Sequence, residues 1–96
     1  MHDAKKIVTK EKLEKYKKLT GDALNMAKKS VMKDKNKEAG EIIKMVENYL
    51  SDSEYFEKEG DFVNAFACLN YAHGWLDSGA RLGIFDVKDD GLFTIK

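Results

Sequence analysis

A seven-residue repeat runs through residues 62–83 of the chain. Its members step along the sequence by four and three residues in strict alternation: Phe62, Phe66, Leu69, His73, Leu76, Ala80 and Gly83. This spacing places all of them on one side of an α-helix, because a helix turns once in 3.6 residues. A half-buried β-strand would alternate with a period of two, so the repeat predicts a helix with one buried stripe.

Two further segments show the helical period, and the chain contains no proline to interrupt them. Helix 1 is predicted at about 5–33, helix 2 at about 37–59 and helix 3 at about 62–83. We expect Asn36 to cap the start of helix 2, Gly60 to end it in the left-handed conformation, and Asp61 to cap helix 3. Because this second connection is so short, helices 2 and 3 must run antiparallel.

Residues 84–96 have no helical period and are predicted to form a non-helical C-terminal tail. Asp90-Gly91 lies between two apolar runs, which is typical of a hairpin turn. A lone hairpin is marginal in water and would need a surface to lie on. With 96 residues the chain has room for one domain, covering 1–96. The expected architecture is all-α, a three-helix up-and-down bundle followed by this tail.

Composition excludes several classes of protein. The single cysteine, Cys68, cannot form an internal disulfide and is expected to be a small buried hydrophobe. No apolar run is long enough to cross a membrane, and the first twelve residues do not resemble a secretory signal. Apolar residues make up 43% of the chain, which is too many for a disordered protein. We therefore expect a cytoplasmic globular protein without a membrane partner.

The net charge of zero hides a segregation of charge along the chain. Residues 1–38 hold 12 Lys against 6 Asp and Glu, a net of +6, and residues 39–96 hold 5 Lys and Arg against 11 Asp and Glu, a net of −6. The favoured interpretation is a basic first helix lying against an acidic second one. The alternative is that the lysine-rich first helix binds an anion, a nucleotide or RNA. Nucleic acid is the less favoured partner, because this segment has one aromatic residue, Tyr16, and no arginine.

A row of polar side chains, His73, Asp77 and Arg81, follows helix 3 at intervals of one turn. A His–Asp pair beside an arginine could move a proton or hold an anion. The favoured interpretation is structural, with His73 at the edge of the core and Asp77 and Arg81 forming an ordinary helix-surface pair. No nucleophile stands at a turn beside the row, and a metal would need further ligands. We therefore expect no catalytic residue, no metal, no cofactor, no small-molecule substrate and no enzymatic activity.

Another side of helix 3 carries an aromatic patch, formed by Tyr71, Trp75 and Leu82. An apolar patch away from the core is typical of a contact surface. The C-terminal tail is the favoured occupant, with a second copy of the chain, another protein, or a nucleobase stacked on Trp75 or Tyr71 as alternatives. A domain of this size is marginally stable alone, which favours dimerisation. The leading functional prediction is a non-catalytic protein-interaction module that self-associates or docks on a larger protein.

The third helix and its acidic lead-in also carry a family resemblance. The run Tyr71-Ala72-x-Gly74-Trp75-Leu76-Asp77-x-Gly79-x-Arg81-Leu82-Gly83 resembles the short archaeal proteins grouped as domain of unknown function family 357, and Tyr55 to Phe62 supports the likeness. The first helix is similar only in its lysine-rich character, and the tail adds nothing. The resemblance implies a left-handed three-helix up-and-down bundle. It implies no activity and no site residues.

Overall fold

The fold is all-α, as the apolar spacing predicted. The computed structural model describes residues 7–94, and its helices are α1 (Lys10–Lys28), α2 (Asn36–Lys58) and α3 (Phe62–Arg81). Within the described residues the sole β-type pairing is one isolated antiparallel bridge between Val31 and Phe85. The three helices and the non-helical tail that follows them are therefore confirmed.

Helix α1 is shorter than the predicted span of 5–33. Residues 5 and 6 lie outside the described part, and the helix begins at Lys10 because the Thr9 hydroxyl accepts a hydrogen bond from the Lys12 amide. It ends at Lys28 because the next residues pair with the tail: Met32 N donates to Ile84 O at 2.9 Å, and Asp86 N donates to Ser30 O at 2.7 Å. A continued helix would have used these backbone groups internally.

The prediction that Asn36 caps α2 was wrong. Asn36 is the first helical residue, and the N-cap position is held by Lys35, whose side chain makes no capping bond. Asp34 adopts the left-handed conformation with φ 70°, which completes the turn one residue earlier than expected. Aspartate is one of the few non-glycine residues that tolerate this conformation.

The connection between α2 and α3 follows its prediction. Gly60 has φ 79°, and the amides of Gly60 and Asp61 donate to Glu57 O and Phe56 O, which closes α2 with a Schellman motif. The Asp61 carboxylate then accepts a hydrogen bond from the Asn64 amide and starts α3.

The helices run up, down and up. Lys17 pairs with Glu57 and Lys28 with Glu47, so α1 and α2 are antiparallel. The Ser53 hydroxyl donates to the carbonyl of Ala65 in α3, and the connection of α2 to α3 makes these two antiparallel as well. Helix α3 packs on both other helices, whereas α1 and α2 contact each other little. The left-handed sense of the bundle stays a prediction from the family resemblance.

The apolar interior consists of two clusters at opposite ends of the bundle. The smaller cluster surrounds Leu13, Ala65 and Leu69. The larger combines α1, α2 and α3 with the tail, and its buried members include Ala27, Ile42, Val46, Leu76, Ile84, Phe85, Val87 and Phe93. The tail is therefore part of the core and not an appendage.

The tail reaches the core through a sharp turn at the end of α3 and does not form the hairpin that Asp90-Gly91 suggested. Gly83 has φ 76°, and the Ile84 amide donates to Gly79 O, so a second Schellman motif redirects the chain. The Asp89 carboxylate accepts from the amides of Gly91 and Leu92 and forms a local turn. The apolar side chains on either side of it join the core cluster formed by the helices.

Candidate interaction surface on the third helix

Helix α3 has one side that is exposed to solvent along most of its length. We call it the outer face, and it consists of Val63, Asn70, Tyr71, Gly74, Trp75 and Ser78. These positions are separated by multiples of about one turn, so they share one side of the helix. Of the two charged residues of α3, Asp77 is half-buried and bonded to the tail, whereas Arg81 is exposed and lies on this side, two turns beyond Gly74. In a chain with 35% charged residues, Arg81 is the one charged residue on this side of α3.

The structure places all three residues of the aromatic patch in solvent. The exposed fractions are 62% for Tyr71, 40% for Trp75 and 73% for Leu82, which follows the last turn of α3. An isolated exposed apolar residue is ordinary, but several that adjoin on one helix face mark a contact surface.

A shallow hollow of about 360 Å³ lies within the outer face. It is lined by Asn70, Tyr71, Gly74, Trp75 and Ser78. A Cβ atom built on Gly74 would meet no other atom of residues 7–94 within 4 Å, so that part of the chain leaves the space beside this residue open. The patch thus combines projecting rings with a recess of side-chain size.

The ring of Tyr71 is held in place by a neighbour from α2. Tyr49 stacks against it with ring centroids 5.5 Å apart and planes inclined by 25°. Offset stacks of this kind stabilise a defined ring orientation. The stack therefore gives one side of the hollow a defined shape.

The expectation that the tail covers the aromatic patch was wrong. Phe85 and Phe93 are buried in the larger core cluster, together with Leu76 and residues of α1 and α2. The reason is the left-handed turn at Gly83, which sends the chain to the other side of α3. The patch is consequently left uncovered by the described part of the chain.

His73 connects α3 to both α1 and the tail. Its Nε2 donates to the carbonyl oxygen of Leu92, because a carbonyl can only accept. In the neutral ring Nδ1 then accepts a hydrogen bond from the buried Thr20 hydroxyl, and the distance between Nδ1 and Thr20 Oγ1 is 3.1 Å. Both ring nitrogens have structural partners, which leaves neither nitrogen free for proton transfer.

Asp77 is also bonded to the tail. The Thr94 amide donates to its Oδ1 at 2.9 Å, and the Thr94 hydroxyl lies 3.4 Å from Oδ2. The distance from His73 Nε2 to Asp77 Oδ1 is 3.9 Å, longer than a hydrogen bond. Arg81 is exposed, and no ion pair with Asp77 occurs in the part of the chain that the structure describes. The polar row therefore divides into two tail contacts and a solvent-exposed arginine.

Several lysines of the basic half are paired with carboxylates. Lys28 contacts Glu47 at 2.8 Å, and Lys17 contacts Glu57 at 3.2 Å. Burial opposes both charges of the second pair. The hydrogen bond between them, their mutual attraction and neighbouring charges together outweigh that effect, so the pKa of Glu57 is lowered and the pKa of Lys17 is raised. Two lysines of α1 thus pair with carboxylates of α2, although the two helices otherwise contact each other little.

Cys68 is buried and unpaired by disulfide. Burial, followed by the charge of Asp52, raises the pKa of its thiol. Since the thiolate is the reactive form, this side chain is not an activated nucleophile.

Among residues 7–94, no group of three or more His, Cys, Asp and Glu side chains could hold a metal ion. No helix in that range has the length and apolarity needed to cross a bilayer.

The sequence pattern placed Tyr71, Trp75 and Leu82 on one side of α3, but it did not identify two further residues of the surface. It overlooked Tyr49 as the support of Tyr71, because cross-helix stacking has no local signature. It also overlooked Gly74 as part of the lining of the hollow. A glycine between two aromatic residues at i−3 and i+1 was the available signal, since helix interiors ordinarily disfavour glycine.

Comparison with known proteins supplies a family but no relative of known activity. Neither the curated proteins nor the solved structures include a significant match to this chain. The family model described as protein of unknown function (DUF357) matches residues 15–85, which include most of α1, all of α2 and α3, and the start of the tail. Because this match spans well over half of the sequence, the chain belongs to the DUF357 family.

Proposed function

We propose that this protein is a non-catalytic protein-interaction module and that the outer face of α3 with Leu82 is its docking surface. The observation that carries the proposal is the exposure of Tyr71, Trp75 and Leu82 on a side of α3 where Arg81 is the one charged residue. Aromatic residues and arginine are enriched at protein interfaces, and the other charged residues are depleted at their centres. The partner this surface suits is a largely apolar protein surface, such as one side of another helix.

The arrangement of the polar residues supports a non-catalytic role. Both nitrogens of His73 are engaged by Thr20 and Leu92, and Asp77 binds Thr94. A general acid or base must instead be able to reach a substrate proton. These side chains hold the tail on the bundle.

The test is a comparison of captured proteins between matched variants. Tagged wild type, a Tyr71→Ala/Trp75→Ala variant and a Tyr55→Ala control are used to capture proteins from a lysate of the source cells. Tyr55 is a suitable control because it is 61% exposed yet lies on α2, away from the outer face. We expect the same proteins, copies of this chain included, with wild type and the control, and their loss with the double variant.

Capture that is unchanged by the double substitution would reject the docking surface. Thermal unfolding of all three proteins is measured in parallel, because Tyr71 also stacks on Tyr49. If the double variant unfolds at a lower temperature, Leu82→Asp replaces it. This residue is 73% exposed, so the substitution changes the surface and not the core.

A second candidate function is binding of an anion, a nucleotide or RNA by α1. It is favoured by two lysines beside aromatic rings: Lys12 Nζ lies 5.1 Å from the Phe66 ring centre, and Lys15 Nζ lies 5.9 Å from that of Tyr16. Basic and aromatic side chains together are the usual elements of single-strand recognition. Titration with RNA, nucleotides and phosphate at low salt, followed by Trp75 fluorescence and melting temperature, tests it. Binding must weaken steeply with salt, and no response would reject this function.

A further inference from the structure

We infer that residues 88–94 are a displaceable strap, and that the surface of α1 and α3 beneath them is a peptide-binding site. The peptide that this site takes has the chemistry of the strap itself, a tight turn followed by leucine, phenylalanine and threonine, and it is presented by another polypeptide. The site lies on the side of α3 that carries His73 and Asp77, so the inference goes beyond the docking function proposed for the outer face.

Two side chains of α3 hold the backbone of the strap on either side of one buried ring. His73 Nε2 donates to the carbonyl oxygen of Leu92. The Asp77 carboxylate accepts from the amide of Thr94 at 2.9 Å. These backbone groups belong to the two peptide units that flank Phe93, whose side chain is 2% exposed. Peptide-binding sites divide their contacts in the same way, because main-chain hydrogen bonds give affinity and a pocket for one side chain gives specificity.

The site is built from the bundle and does not need the tail for its shape. The His73 ring is held from α1 by the buried Thr20 hydroxyl. Asp77 follows His73 by one turn of α3, so the two side chains lie on the same side of the helix. The Phe93 ring, whose centre is 6.5 Å from that of His73, lies in the larger core cluster with residues of α1 and α3. A segment from another polypeptide would therefore meet the same donor, acceptor and apolar wall.

The two halves of the tail are attached to the bundle differently. Residues 84–86 form backbone hydrogen bonds with the end of α3 and with the connection between α1 and α2. Within the described residues, the backbone-to-backbone bonds of the strap are local and end on Asp89 O. Its apolar side chains and the two polar side chains of α3 must therefore offset the entropy of ordering the whole strap. We expect the strap to open locally while the bundle stays folded.

The strap also carries its own turn. The Asp89 carboxylate accepts hydrogen bonds from the amides of Gly91 and Leu92, and the Asp89 carbonyl accepts from the Phe93 amide at 3.1 Å. Because these bonds join residues that are close in sequence, a short peptide can form them without the bundle. A preorganised segment loses less entropy on binding than a disordered one. The same sequence is therefore suited to bind as a separate molecule.

Titration of the full chain with a synthetic peptide tests the site. The probe is the peptide of residues 86–94, and the receptor is the Phe93→Ala variant, whose own strap has lost its buried ring. Calorimetry should show that this variant binds the probe and that wild type binds it at least tenfold more weakly, because a closed strap leaves only a fraction of the molecules competent. A probe with alanine in place of its phenylalanine should not bind.

Two further substitutions in the receptor locate the bound probe. Asp77→Ala, added to Phe93→Ala, removes the acceptor of the threonine amide and should weaken binding about fivefold, as for one ordinary hydrogen bond. Tyr55→Ala, added instead, is the matched control, because Tyr55 is exposed on α2 and lies outside the site. It should leave the dissociation constant unchanged. Equal dissociation constants for the two receptors would overturn the inference.

Hydrogen exchange of wild type tests the strap without any substitution. The Thr94 amide should exchange through an opening that leaves the amides of Ile84 and Phe85 protected. Equal protection of all three would show that the strap opens only when the whole molecule unfolds, and it would overturn the inference.

A second receptor is used if Phe93→Ala does not fold. Thr94→Pro removes the amide hydrogen that Asp77 accepts and leaves the buried ring in place. This receptor should bind the probe about fivefold more tightly than wild type does. A folded receptor that does not bind the probe would exclude the peptide-binding site, whereas the docking surface on the outer face would be unaffected.

Discussion

Gly79 and Gly74 are five residues apart in one helix, and their surroundings differ. The ring of Phe85 lies against Gly79, whereas no atom of the described residues comes within 4 Å of a Cβ built on Gly74. On the side of Gly79, the tail completes the core; on the side of Gly74, aromatic rings stand in solvent. The comparison shows that α3 has two apolar sides and that the described part of the chain covers only one of them.

The difference begins at a single turn. Leu82 is 73% exposed and Phe85, three residues later, is 2% exposed. Gly83, between them, adopts φ 76° and turns the chain back over Gly79. The turn thus assigns the tail to one side of α3 and leaves the other available to a partner.

The largest effect should come from removing the ring that covers Gly79. Phe85→Ala deletes a buried aromatic side chain and should lower the free energy of unfolding by about 3–5 kcal/mol, because it leaves a cavity in the larger cluster. Leu82→Ala, on the uncovered side, should change it by no more than about 0.5 kcal/mol. Chemical denaturation of dilute protein measures both. Similar losses would mean that the tail is not integral to the core.

A smaller effect is expected from a methyl group at Gly79. Gly79→Ala should destabilise the protein by about 1–3 kcal/mol, because the Phe85 ring must move away from the new Cβ atom. The cost should shrink when Phe85→Leu is combined with it, since the two sites share one contact. Additive effects of the two substitutions, read from a double-mutant cycle, would contradict the close approach.

The hydrogen bonds that hold the end of the tail should contribute less still. Asp77→Ala removes the acceptor of the Thr94 amide and should cost about 1 kcal/mol, as for an ordinary hydrogen bond. Hydrogen exchange of that amide should accelerate markedly in the variant. Exchange of core amides, such as that of Leu76, should accelerate only as far as the small loss in the free energy of unfolding requires. Unaltered exchange at Thr94 would show that Asp77 does not hold the tail.

The smallest effect should come from removing the Lys17–Glu57 ion pair, which joins α1 to α2 and involves neither side of α3. Lys17→Met should cost about 0.2–1 kcal/mol near neutral pH, because the pair is partly exposed. Since the folded-state pKa of Glu57 is lowered, its contribution is present above the unfolded pKa and is lost as pH falls through the folded value. Wild type and variant should therefore converge in acid. A difference that persists below that range would exclude the pair as its source.

Local sequence signals predicted the helix boundaries well where a single residue type determines the backbone conformation. Gly60 and Asp61 end α2 and start α3 as expected, because a left-handed glycine and a capping carboxylate act within a few residues. The same reasoning failed at Asn36, where the left-handed Asp34 shifted the start of α2. It also failed at the end of α1, where Ser30 and Met32 pair with a segment more than fifty residues away.

The sequence by itself determined three apolar stripes, the helices that carry them, and the surplus aromatic residues on α3, because helical period is a local property. The motif of that helix also predicted the DUF357 family, which the family match over residues 15–85 confirmed. Tertiary structure alone decided which side the tail covers, which glycine receives a ring, and which tyrosine supports Tyr71. These outcomes depend on the direction of one turn and on contacts between distant residues, and no local pattern encodes such contacts.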